Sequence, residues 1–231
     1  MGHTGKSSGD IQRSSEKTTK YSDVDSRTTP MPEEDITQVT EGWAPYFQSS
    51  NSFRINEVLR NMEDGQSLED AFTGRNEKNL ATVQAMDRNM LPLNKDIQVA
   101  RMAAEEYLSN LMLGAGFTYS EMRDAINGDQ SVIDRMNAKL AGTKITEKQL
   151  MSTSYETNEF DWAFRNRPLK MNIDVKAGTH AMFNPTRSDD TESEMVLARG
   201  TEHKLLKFYY EHRQLQVKAE TTPQTKIRKR R

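Results

Sequence analysis

The chain has 231 residues, enough for one full domain with appendages or for two very small ones. Hydrophobic residues make up 34%, against roughly 45–50% apolar usage in an ordinary globular domain, so part of the chain is expected outside any core. With no cysteine and a net charge of −2, disulfides, thiolate nucleophiles and Cys-ligated metals are excluded, and the molecule as a whole is no general polyanion binder.

Residues 1–42 are the first element. Up to position 40 the hydrophobic residues are Met1, Ile11, Tyr21, Val24, Met31, Ile36 and Val39, without period. Such a stretch cannot bury enough apolar area to offset its ordering entropy, so a disordered polar tail is expected. It has no apolar core of a secretory signal, and no run in the chain is long enough for a transmembrane helix.

From Trp43 the pattern becomes helical. Ser52 caps a helix running to Met62, with Ile55, Val58, Leu59 and Met62 at i, i+3, i+4 and i+7. Asp64-Gly65 stops it, and Ser67 opens a short segment holding Leu68 and Phe72. Glu77–Met90 is the next helix, ended by Leu91-Pro92-Leu93. Asp96–Arg101 reads as a short strand, and Ala103–Leu113 as a helix ended by Gly114 and Gly116. Ser120–Asn127 and Ser131–Leu140 are two more helices, each with a serine cap.

After Gly142 the period changes to two. Ile145–Ser154 holds a strand ending in Ser152-Thr153-Ser154. Leu169, Met171, Ile173 and Val175 alternate strictly with Lys170, Asn172, Asp174 and Lys176, the clearest strand in the chain. Thr179–Phe183, Glu192–Arg199, His203–Tyr210 and Gln214–Glu220 follow, with a polar loop from Asn184 to Thr191. Helices first and strands later predict an α+β fold in one domain, residues 43–221. Residues 222–231 form a tail in which Lys226, Arg228, Lys229, Arg230 and Arg231 are basic. Its expected role is solubilising, with contact to nucleic acid as the alternative.

Few residues suggest chemistry by themselves. His3, His180, His203 and His212 are isolated, and the last three read as surface strand residues. No metal-ligand spacing is present, so no metal is expected. Glu192 and Glu194 fall on one face of a strand, about 7 Å apart by strand rise. Alone, that pair also fits a solvated edge. Ser152-Thr153-Ser154 alone also fits a strand terminus, and Arg101 alone a salt-bridge residue.

Their order and spacing narrow this. An arginine at a strand end, then about 50 residues to Ser-Thr-Ser, then about 40 to Glu-x-Glu, resembles the mono-ADP-ribosyltransferases of the bacterial exoenzyme type. The likeness runs over roughly residues 43–220. Arg54-Ile55-Asn56-Glu57-Val58-Leu59-Arg60 is similar to that family's "IN..LR" helix. Asn166-Arg167-Pro168 resembles its "GRP" turn, and Val175-Lys176-Ala177-Gly178-Thr179 its "V.KGT" strand exit. Glu192 to Thr201 resembles the catalytic strand. The chain departs at Asn166, at Ala100, where the family often has an aromatic, and at Met102, where it often has a small residue.

The resemblance implies a split mixed β-sandwich with N-terminal helices packed on it, gripping NAD as substrate in a cleft. It implies that Arg101 pairs with the pyrophosphate, with Arg167 as a second phosphate contact. Ser152 would fix the rotamer of the catalytic Glu194, and Thr153 and Ser154 would support the cofactor cleft. Glu194 would accept from the ribose 2′-hydroxyl and stabilise the cation that forms as nicotinamide departs. Glu192 would select the acceptor: a glutamate there is the arginine-modifying pattern, a glutamine the pattern for other acceptors. A guanidinium stays protonated at neutral pH and needs a carboxylate to take its proton. The Tyr155–Pro168 loop, with Phe160, Trp162, Phe164 and Arg165, would lie over NAD, and Phe183 would help recognise the protein target. Host actin, a GTPase or an RNA polymerase subunit all fit as targets. The implied location is cytoplasmic, or inside a host cell after phage injection or secretion. Alternatives are a same-fold transferase with another acceptor, nucleic acid included, and a non-catalytic structural or packaging protein.

Overall fold

A computed structural model describes residue 46 and residues 51–155, 166–183 and 194–223. The order of elements is helical first: α1 (Asn51–Asn61), α2 (Leu68–Ala71), a 3-10 turn (Gly74–Asn79) and α3 (Leu80–Asn89). Strands β1 (Leu91–Pro92) and β2 (Ile97–Ala103) follow, then α4 (Glu105–Gly114), α5 (Tyr119–Ile126) and α6 (Gln130–Leu140). The remainder is β3 (Lys144–Thr146), β4 (Met151–Ser154), β5 (Leu169–Val175), β6 (His180–Phe183), β7 (Glu194–Leu197), β8 (Glu202–Glu211) and β9 (Gln214–Thr221). The α+β expectation holds.

Several local expectations shift. The helices read from Ser52, Ser120 and Ser131 each begin one residue earlier, so Ser52 lies inside α1. Thr118 caps α5 in a reciprocal capping box with Glu121, and Asp129 caps α6 through Ser131 N and Val132 N. The helix read from Glu77 is 3-10 to Asn79 and α-helical only from Leu80. The single strand read over Ile145–Ser154 is two, because residues 147–150 leave the ladder. There Glu147 N donates to Thr201 O (3.0 Å) and Glu147 O accepts from Gly200 N (2.6 Å).

The strands run in the order β1-β6-β7-β4-β2-β5-β9-β8-β3, all antiparallel except the β5–β9 pair. The sheet is split. Between β4 and β2 a single residue pair, Ala100 with Ser154, joins the two halves. Two cores follow. The larger packs α4–α6 on the strands through Leu108, Met112, Ile133, Met136, Met171, Ile173, Leu205 and Val217. The smaller packs α1 and α3 on β7 through Tyr46, Ile55, Leu59, Val83, Met86 and Val196. Strand alternation lets β7 serve both, with Met195 and Leu197 in one core and Val196 in the other.

Candidate active site

The split brings three sequence motifs onto adjacent strands. β4 lies between β2 and β7. Ser154 pairs with Ala100 on one side and with Glu194 on the other. Arg101 is therefore one step along β2 from the junction, and Glu194 sits across from Ser154. Ser152, two residues back on the same face of β4, pairs with Val196 and is diagonal to Glu194, within reach of a long side chain. Thr153 points to the opposite, buried face, where its hydroxyl donates to Met195 O at 2.7 Å.

A tyrosine completes this face. Tyr46 is 1% exposed, and its hydroxyl meets Ser152 and accepts from Asn56 Nδ2 at 3.3 Å. Burial above all, with the nearby Glu194 charge adding, pushes its pKa up to about 12, against the hydrogen bonds and Arg101. Tyr46 is thus a neutral hydroxyl held against Ser152 and within the fields of Glu194 and Arg101. Asn56 also accepts from Leu150 N at 3.2 Å, and Arg60, one turn later on α1, donates to Gln149 Oε1 at 2.6 Å. The helix that resembles "IN..LR" is pinned by these two residues to the segment entering Ser-Thr-Ser.

Cations gather at the same junction. Arg101 lies on the face of β2 that carries Val99 and Ala103 into the larger core, so a guanidinium stands at the core's rim. Glu147, buried, lies 3.9 Å from it. Arg167, just before β5, donates from Nη1 to Met102 O at 2.8 Å. Burial and then the field of Arg101 lower its pKa, so the two guanidiniums feel each other. Two like charges held together on a rim suit a diphosphate that bridges them.

Two of the histidines differ from the surface strand residues expected. His203 is a core residue, not a surface one: it is in phase with Leu205 on β8, and its Nε2 lies 3.1 Å from the Tyr107 hydroxyl. Burial lowers its pKa, with Glu147 opposing and Arg101 assisting. His212 sits in the β8–β9 hairpin turn, where it and Arg213 both take positive φ, as a two-residue turn requires.

Of the residues singled out in the sequence, Ser152, Ser154 and Glu194 share one face of β4 and β7; Arg101 lies on the adjacent strand β2 with its side chain on the other face, where Arg167 joins it. Phe183 ends β6, paired through its backbone with Met195. Glu192 lies outside the described residues, as do Phe160, Trp162, Phe164 and Arg165. Sequence reasoning missed Tyr46, Glu147 and Gln149. Tyr46 belongs to the aromatic cluster Trp43–Phe47 that follows the polar tail, a usable signal. Among the described residues no group of three or more His, Asp or Glu could hold a metal, and no helix is long and apolar enough to cross a membrane.

Comparison with known proteins places the fold in a family. The sequence model described as ADP-ribosyltransferase exoenzyme matches residues 20–227. No curated protein is significantly similar to the chain. Among solved structures, C3stau2 from S. aureus, which contains NAD, is 17% identical with a TM-score of 0.66, covering 93% of this chain and 98% of its own. An ADP-ribosyltransferase from Clostridium botulinum is 16% identical with a TM-score of 0.62, covering 91% and 96%. Plx2a, an ADP-ribosyltransferase toxin from Paenibacillus larvae, is 20% identical with a TM-score of 0.58, covering 89% and 92%. At these identities the structures establish a shared fold.

Proposed function

The chain belongs to the ADP-ribosyltransferase exoenzyme family, whose members are NAD-dependent mono-ADP-ribosyltransferases, and we propose that it modifies arginine side chains of a target protein. The observation that carries the reading is the β2–β4–β7 junction, where Arg101, Ser152, Ser154 and Glu194 fall on neighbouring strands around Tyr46.

In this reading Arg101 and Arg167 hold the two phosphates of NAD as guanidinium forks. Ser152, held by Tyr46, orients Glu194. Glu194 accepts from the ribose 2′-hydroxyl and stabilises positive charge at C1′ as the C1′–N bond breaks. Neutral nicotinamide leaves with the bonding electrons. A guanidine nitrogen of the target forms the new bond to C1′, and Glu192 takes the proton that this nitrogen loses. Thr153 acts from behind, through the main chain of Met195 beside Glu194. Phe183 and the loop that follows it meet the target protein. The catalytic unit spans residues 43–221, and delivery into a host cell suits the fold it shares with the toxin Plx2a.

Labelled NAD incubated with the protein and a cell lysate tests this. Label should appear on protein, with nicotinamide released. Glu194→Gln should lower both by about 10³-fold or more without a fall in Tm. Glu192→Gln should lose transfer to protein while nicotinamide release continues. Label in nuclease-sensitive material would place the acceptor on nucleic acid. Wild-type protein that releases no nicotinamide would leave a non-catalytic protein with this fold. Mass spectrometry of the labelled protein then locates the modified residue.

A further inference from the structure

Arg101 and Glu147 form an ion pair without a hydrogen bond. Arg101 Nη1 and Glu147 Oε1 are 3.9 Å apart. Both atoms are sealed from solvent, and neither has a hydrogen-bond partner. Side-chain exposure is 15% for Arg101 and 7% for Glu147. What the arginine shows to solvent is therefore not Nη1. One nitrogen turns inward to the carboxylate, and another part of the side chain faces out.

Glu147 itself is held by its backbone and by one side-chain oxygen. Its backbone is bonded to Thr201 O and Gly200 N, in the turn that follows β7. Its Oε2 accepts from Gln149 Nε2 at 3.5 Å, and Gln149 Oε1 accepts from Arg60 at 2.6 Å. Tyr107 and His203 complete its surroundings, and both feel its charge. A buried ion pair with such poor hydrogen bonding is a weak source of stability, because desolvation offsets its Coulomb gain. A carboxylate kept there calls for another use.

We propose that Glu147 is a positioning residue, the fixed inward counter-ion that orients the Arg101 guanidinium so that its outward side meets the phosphates of NAD. The proposal rests on the reading of Arg101 as a phosphate-binding residue. Two effects of Glu147 oppose each other. Its negative charge weakens the field that an anion meets, and its fixed position removes freedom that a long side chain would otherwise lose on binding. Orientation wins, because Coulomb terms near a protein surface are diluted by an effective dielectric of about 20, whereas a bidentate phosphate contact demands a set plane.

The test is steady-state nicotinamide release from NAD in the absence of any target protein. Glu147→Gln keeps the volume and removes the charge. The KM for NAD should rise about tenfold while kcat changes much less. Glu147→Asp should restore most of the loss. In an Arg101→Lys background Glu147→Gln should add little, because a lysine has no plane to orient. An unchanged or lowered KM in Glu147→Gln, or an equal penalty in the lysine background, overturns the proposal. Where Glu147→Gln fails to fold, Gln149→Leu removes the donor on Oε2 and should raise KM about threefold; no change in that variant overturns it too. The underlying reading fails separately: Arg101→Gln, which removes the charge, without effect on KM, or wild-type protein without nicotinamide release, removes the phosphate role itself and this proposal with it.

Discussion

The two halves of the sheet are built differently. In the half holding β2, β5, β9, β8 and β3, the central ladders are long: seven paired positions join β2 to β5, six join β5 to β9 and eight join β9 to β8, with a three-pair ladder to β3 at the edge. In the half holding β1, β6, β7 and β4 they are short, with two, three and four. The long half is stiffened by its own backbone. The short half depends on side-chain ties: Thr153 to Met195 O, Asn56 to Leu150 N, and the fork of Arg199, just past β7, on Asp87 of α3. The candidate site straddles the joint, with Arg101 from the long half and Ser152 and Glu194 from the short one. Away from Arg101, core substitutions in the long half should therefore act on stability, and those in the short half on activity.

Met171→Ala tests the long half and should have the largest effect on stability. Met171 is fully buried in the middle of β5, between Arg101 of β2 and Val217 of β9. Truncation leaves a cavity between two long ladders that do not collapse to fill it. A loss of about 2–5 kcal/mol is expected by denaturant titration. In the protein that remains folded, the KM for NAD should hold, since the backbone that carries Arg101 is unchanged. A selective rise in KM without loss of stability would reverse the roles assigned to the two halves.

Thr153→Val tests the short half. The change keeps the shape and deletes the donor to Met195 O, next to Glu194. The stability cost should be about 1 kcal/mol, that of one hydrogen bond. Nicotinamide release should fall by more than that cost implies, because a four-residue ladder has little else to hold the start of β7. Equal, small effects on both quantities would mean that the short ladders suffice without this tie.

The contrast between halves also explains what is legible in the sequence. β5 is legible because both of its neighbours are long strands and one face is uniformly buried, which produces the strict alternation of Leu169–Val175. The site motifs are legible from residue order and spacing, not from periodicity, since β4 and β7 are four residues each. Glu147 and Gln149 are hidden within what reads as one strand. Their alternate polar positions imitate a wet face, yet both are buried, and the backbone there bonds to the Gly200–Thr201 turn. The caps at Thr118 and Asp129 lose to nearby serines because polar residues in a row offer several starts. His203 escapes a reading by polarity, although its alternation with Leu205 places it inward: phase along the strand, not residue type, decides its side.

His203 acts only through pH and probes the joint from the long side. It opens β8 beside Tyr107, with Glu147, Arg101 and Glu202 as the charges around it. Burial lowers its pKa in the folded protein below the value near 6.5 expected when unfolded. As pH falls, the unfolded chain takes up the proton first. The stabilising contribution is therefore full above about pH 6.5 and declines as pH drops through that value toward the folded pKa. At pH 5.5 the loss from this group is at most about 1.4 kcal/mol. Thermal melts at pH 7.5 and 5.5 should show a larger drop in Tm for the wild type than for His203→Gln, which cannot titrate. Subtracting the two removes the carboxylates that titrate in both. A steeper drop in the variant would mean that the attraction of Glu147 outweighs burial, so that the charged imidazole is the form the fold prefers.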